Sequence, residues 1–213
     1  MRCHPFVAFA LGSFTVLLLS ATVSQPVASG ARDPAGAAPP QDPQGEMAAA
    51  MAKMKQWTAP GKHHESLAQL VGKWNTKTTM FMGGQTSPPE AGTSEFRWLM
   101  PGRWLIAESK GSMMGMPMQT CWLMGYDNFK QSYVTTTVNS MDTAMLRFEG
   151  DLTQDGKALI SYGTLDEYMT GEHDKMVKSV FRFLSDTEFV VEVHDLPIGE
   201  TGTKVFEVRY TKS

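Results

Sequence analysis

The 213-residue chain carries a formal net charge of −3, with 42% hydrophobic and 19% charged residues. That balance is globular, and the length suits one domain plus accessories. No Lys/Arg run or stripe occurs, which argues against a nucleic-acid partner and against an electrostatic hold on an anionic membrane.

In chain order, Arg2 precedes a mostly apolar run from Phe6 to Val23, and the small residues Ala21, Ser24, Ala28 and Ser29 follow. The pattern predicts a signal peptide over 1–29, cleaved after Val23 or after Ser29; an uncleaved anchor is the alternative. No cysteine follows the apolar run closely enough to carry a lipid. Cleavage would remove Cys3 and leave Cys121 without an intramolecular partner, as a small buried hydrophobe in an exported, periplasmic or secreted protein. No stable membrane span would then remain. Residues 30–56 are rich in Pro, Ala and Gly and read as a flexible linker. Its end, 47–56, favours a short helix with Met47, Met51 and Met54 on one face.

The folded domain is expected over 57–213. Pro60-Gly61 marks a turn, and Leu67, Leu70 and Val71 stand at helical spacing before Gly72. Strands are expected at 74–82, 94–100, 103–110, 118–125, 131–138, 144–152, 157–165, 175–184, 187–195 and 203–212. Pro101-Gly102, Asp127-Asn128, Asp155-Gly156 and Ser185-Asp186 supply turns between them. Ten short strands with no helices between them exclude a parallel α/β fold and predict an all-β antiparallel barrel that closes to hide its edges, with a short N-terminal capping helix. Alternation is clean near the end of the chain. Phe206, Val208 and Tyr210 share one face, while Glu207, Arg209 and Thr211 share the other.

The spacing of Gly72-Lys73-Trp74, after a short helix and opening the first strand, resembles the G-x-W motif of the calycins, the lipocalin-like superfamily. Further pieces resemble a bacterial domain-of-unknown-function family within it: Pro101-Gly102-Arg103-Trp104-Leu105, Gly125-Tyr126-Asp127-Asn128, Asn139-Ser140-Met141-Asp142-Thr143, and the terminal Val208-Arg209-Tyr210-Thr211-Lys212. The likeness spans nearly all of 60–213. It departs at Thr137, where relatives often carry Trp, and at Asn139, where they carry Asp. The resemblance implies a calycin-like barrel in which Lys212 closes the floor over Trp74. Strand parity independently puts Lys212 on the inward face.

A barrel of this size encloses either side chains or one small ligand. The expected function is therefore carriage of a small apolar molecule in the lumen, with Trp98, Trp104, Trp122, Tyr133, Thr135 and Thr137 as lumen residues. Met113, Met114, Met116 and Met118 raise an alternative, since clustered thioethers can hold Cu(I); filling apolar space at a barrel mouth accounts for the same residues. Some calycins bind haem through one histidine, but His194 faces outward by parity. His63 and His64 are adjacent, diverge on a helix, and read as structural. Glu167, Glu172, His173 and Asp174 read as a solvated hairpin tip. No G-x-S-x-G, H-E-x-x-H, C-x-x-C or phosphate-loop motif is present, so no catalytic residue is assigned and an enzyme stands as the third reading.

Overall fold

A computed structural model describes residues 42–168, 170–196 and 203–213. The leader, Cys3 and most of the linker lie outside the described residues.

Helix α1 (Pro43–Thr58) is built from Ala, Met and Lys, strong helix formers, and buries none of its residues. Its last carbonyls lack intrahelical partners and are met from the barrel. Asn128 Nδ2 donates to Trp57 O (3.0 Å) and to Ala59 O (2.8 Å), and Arg103 donates to Thr58 O. Trp57 also meets Phe129 edge-on at 5.5 Å.

The expected capping helix is two short pieces, α2 (Lys62–Glu65) and a 3-10 turn (Ser66–Leu70). The tightening follows from local bonds. Ser66 Oγ donates back to His63 O at 2.8 Å, and Trp74 Nε1 donates to Leu70 O at 2.9 Å. Gly72, at φ 142°, then turns the chain into the wall.

The strands are β1 (Gly72–Met82), β2 (Gln85–Thr86), β3 (Glu90–Met100), β4 (Trp104–Met113), β5 (Met116–Asp127), β6 (Ser132–Asn139), β7 (Leu146–Leu152), β8 (Ala158–Glu167), β9 (Glu172–Ser185), β10 (Glu188–Asp195) and β11 (Lys204–Lys212). Each expected strand is present. β2 only pairs with the far end of β1, and the other ten strands form an antiparallel meander. β1 closes it against β11, in register from Trp74 opposite Lys212 to Met80 opposite Phe206. Closure satisfies the edge groups that an open sheet would expose.

Cross-strand register sorts the inward side chains into two halves of one axis. At the helix end, the 3-10 turn inserts Leu67 and Leu70. Trp74, Phe96, Leu105, Met124, Leu159, Phe189 and Tyr210 fill the space above them. Phe189 is the hub: it stacks on Tyr210 at 4.3 Å and meets Trp74 edge-on at 4.8 Å. Lys212 Nζ lies 5.6 Å from the Trp74 ring centre, beneath this cluster. At the opposite end the interior is not filled.

Candidate functional site

The unfilled half is a cavity of about 180 Å³. Its base is made by Trp122 of β5 and Phe181 of β9, which meet edge-on at 5.3 Å from opposite walls. Phe148, Leu146, Val193, Phe206 and Val208 supply apolar wall on β7, β10 and β11. Met113, Met118 and Asn139 line the cavity near the hairpin tips that form its mouth.

A belt of hydroxyls runs around the middle: Thr76, Ser109, Thr120, Thr135, Thr137, Ser161 and Ser179. Ser109 is bonded to Ser94 at 2.8 Å. Lys110 is the one charged residue in the lining. It sits between the inward Ser109 and Gly111, so its side chain leaves through the outer face. Above the cavity, Lys175 pairs with Asp195 at 2.8 Å, and that hydrogen bond raises the lysine pKa. Tyr210, whose hydroxyl is pushed far above its ordinary pKa by burial, stays neutral.

Trp122, Thr135 and Thr137 therefore line the cavity; Trp98, Trp104 and Tyr133 do not. Trp98 faces inward but lies at the helix end, packed against the filled half. Trp104 precedes the inward Leu105, so it lies on the outer wall, where it covers Gly125. Tyr133 is two residues below Thr135 on the same face. Its hydroxyl bonds Ser66 Oγ at 2.7 Å and approaches His63 Nδ1 at 3.4 Å, tying the capping turn to β6.

The histidines divide by role. His63 stacks on Tyr126 at 4.3 Å. His64 is buried, and its Nδ1 accepts from Gly61 N at 3.1 Å. Burial pushes its pKa down, and a hydrogen bond to the Tyr126 backbone opposes this. Both histidines hold the cap. His194 lies on the outer face beyond a bulge in β10, with Thr203 Oγ1 3.4 Å from Nδ1. Burial lowers its pKa, and the neighbouring Lys178 pushes the same way.

Met113 and Met118 line the cavity, whereas Met114 and Met116 are exposed at the hairpin tip. Cys121 faces outward and is free; desolvation raises its pKa, with the Glu108 charge adding to it. His173 and Asp166 pair at 3.1 Å on the exposed β8–β9 tip. No group of three or more His, Cys, Asp and Glu suited to a metal occurs among the described residues. No helix among them is long and apolar enough to cross a membrane.

A family profile described as "Protein of unknown function (DUF1579)" matches residues 59–212. The chain belongs to this family. No curated protein matches it. Among solved structures, Rv2717c from M. tuberculosis is 9% identical with a TM-score of 0.52, covering 73% of this chain and 99% of that one. That likeness is one of fold. A redesigned β-barrel, mFAP1, bound to DFHBI, is 15% identical with a TM-score of 0.35, covering 71% of this chain and all of that one.

Three of the six expected lumen residues line the cavity, and Thr76, Ser109, Thr120, Ser161, Ser179 and Phe181 were not among those expected. Parity within each strand was the available signal. Thr120 shares a face with Trp122, and Ser179 shares one with Phe181.

Proposed function

We propose that the protein is an exported small-molecule-binding barrel that carries a small, largely apolar ligand in the upper half of its lumen. The cavity of about 180 Å³ carries this reading. Interiors built for stability alone fill to crystal-like density, and the helix end of this barrel does so. The hairpin end departs from that rule where strands from opposite walls present an aromatic base. The calycin-like features support the same reading: a meander closed on itself, a helical cap on the floor, and a last-strand lysine against the Trp74 ring. The leader-like residues 1–29 support export to the periplasm or beyond.

The test is native mass spectrometry on the mature protein, recovered after export and carrying no tag at its N-terminus. A cavity of this size should hold an adduct of roughly 100–200 Da that leaves on organic extraction. A copper-sized adduct, lost when Met113 and Met118 are replaced by leucine, would favour the thioether alternative. A bare mass, together with failure of every apolar probe to bind, would refute the carrier.

A further inference from the structure

Taking the lumen as the binding site, we propose that its ligand is an uncharged amphiphile. It has a flat one- or two-ring end seated on Trp122 and Phe181, and hydrogen-bonding oxygens or nitrogens at its waist. Six hydroxyls of the belt, Thr76, Thr120, Thr135, Thr137, Ser161 and Ser179, turn inward from β1, β5, β6, β8 and β9. None of them makes a hydrogen bond within the protein among the described residues, in contrast to the Ser94–Ser109 pair at 2.8 Å. Nor are they sealed away. The buried side-chain polar atom without a partner, among the described residues, is His194 Nε2 on the outer face. The six hydroxyls therefore open onto the cavity.

Desolvating a hydroxyl without a replacement partner is unfavourable, so buried polar groups are nearly always bonded. A purely apolar guest would strip water from all six and return nothing. An anion would find no opposite charge, because Lys110 leaves through the outer face and Lys175 is committed to Asp195, and a cation would find no carboxylate among the lining residues. Hydroxyls both donate and accept, so the belt suits hydroxyl, carbonyl or amide groups alike.

The belt is also lopsided. Thr120, Thr135 and Thr137 form one arc on β5–β6, and Ser161 and Ser179 form another on β8–β9. β10 and β11 present Val193, Phe206 and Val208, with Thr76 and Thr78 of β1 opposite Tyr210 and Val208 at the edge of this apolar wall. The guest's polar edges face the two arcs, and its apolar edge faces the valines. Size follows from volume. A cavity of about 150 Å³ takes a benzene-sized guest, so this one suits one or two rings rather than a folded acyl chain.

The test uses the full mature protein, stripped of adducts, and three probes of one shape: naphthalene, 2,7-dihydroxynaphthalene and 2-naphthoate. Titrations follow tryptophan fluorescence, with calorimetry as the check. The diol should bind at least about tenfold tighter than naphthalene and at least about tenfold tighter than the naphthoate. The double variant T120V/T135V should shrink the diol-to-naphthalene preference by at least about fivefold while naphthalene binds as well or better. S179A serves the same purpose should the double variant fail to fold. Naphthalene matching the diol, with the ratio unmoved by either variant, overturns the hydroxyl-waist proposal while leaving the lumen as the site. Naphthoate matching the diol overturns the uncharged part. Failure of all three probes overturns the lumen reading itself, and this proposal with it.

Discussion

Replacing Gly125 by alanine tests on which side of the wall Trp104 lies. Gly125 follows the inward Met124 on β5 and pairs with Trp104 on β4. A Cβ added to Gly125 would lie 2.5 Å from Trp104 Cζ3 and 3.0 Å from Cδ2, inside van der Waals contact. The indole must tilt off the wall to admit it. Overpacking of this kind costs about 1–3 kcal/mol. For a chain of this size, each kcal/mol moves Tm by about 2–4 °C, so G125A should melt roughly 2–12 °C lower. The diagnostic is the cycle with W104A. Once the ring is gone, the three atoms nearest the added methyl are gone with it, and G125A should then cost less than about 0.5 kcal/mol. Urea unfolding followed by far-UV circular dichroism reads all four proteins, with m required to stay constant. An equal cost for G125A in both backgrounds would refute the placement. W104A should also leave binding of dihydroxynaphthalene unchanged; a loss of binding would return Trp104 to the lumen.

Ser179→Leu should fill the cavity beside Ser161 and Phe181 and weaken probe binding by at least about tenfold. It should hold or raise the urea midpoint, since it replaces an unpartnered hydroxyl by buried apolar surface; unchanged binding would place the ligand elsewhere. Trp74→Phe removes the donor to Leu70 O from the sealed floor and should cost about 1–3 kcal/mol in urea unfolding, with binding intact. His64 gives a pH signature. Burial, with the nearby Arg103 and His63 charges, holds its folded pKa below the ordinary value. The unfolded chain therefore binds this proton more readily. Stability should be full above about pH 6.5, decline as pH falls through the folded value, and level off below it. H64Q should flatten the urea midpoint between about pH 7.5 and 5; an unchanged slope would move the effect to His194, whose pKa burial also lowers.

The wall of the barrel was legible because alternation survives wherever one face is dry. Phe206, Val208 and Tyr210 reveal β11 without any other strand. The site was less legible for two physical reasons. First, parity gives a side but not a height. Tyr133 and Thr135 share a face, yet the two-residue step between them crosses from the sealed cap to the cavity. Only the position of Leu67 and Leu70 shows which end is plugged. Second, an aromatic side chain looks inward by composition whatever its parity. Trp98 and Trp104 flank the Pro101-Gly102 turn, and the bulge between Trp98 and Met100 leaves Trp98 inside and Trp104 outside. The hydroxyls were hidden by the opposite bias. Nothing in the residue type of Ser161 or Ser179 marks the lumen, and only the register sets them opposite each other within it.

The two halves of the axis divide the work between stability and binding. The aromatic hub at Phe189 gathers contacts from Trp74, Phe96, Phe181 and Tyr210, contributed by β1, β3, β9 and β11. Those rings hold the closing seam and the cap together without any residue of the mouth. The upper half is thereby released from filling its own interior and can keep six hydroxyls waiting for a partner. Such groups weaken an empty barrel, since each must hold water or remain unbonded. Phe181 joins the halves, touching Phe189 below at 6.4 Å and Trp122 at the cavity base. A guest resting on Trp122 and Phe181 therefore presses on the same ring stack that holds the seam between β1 and β11. Occupancy should then raise the stability of the whole barrel by simple mass action, rather than ordering the mouth alone.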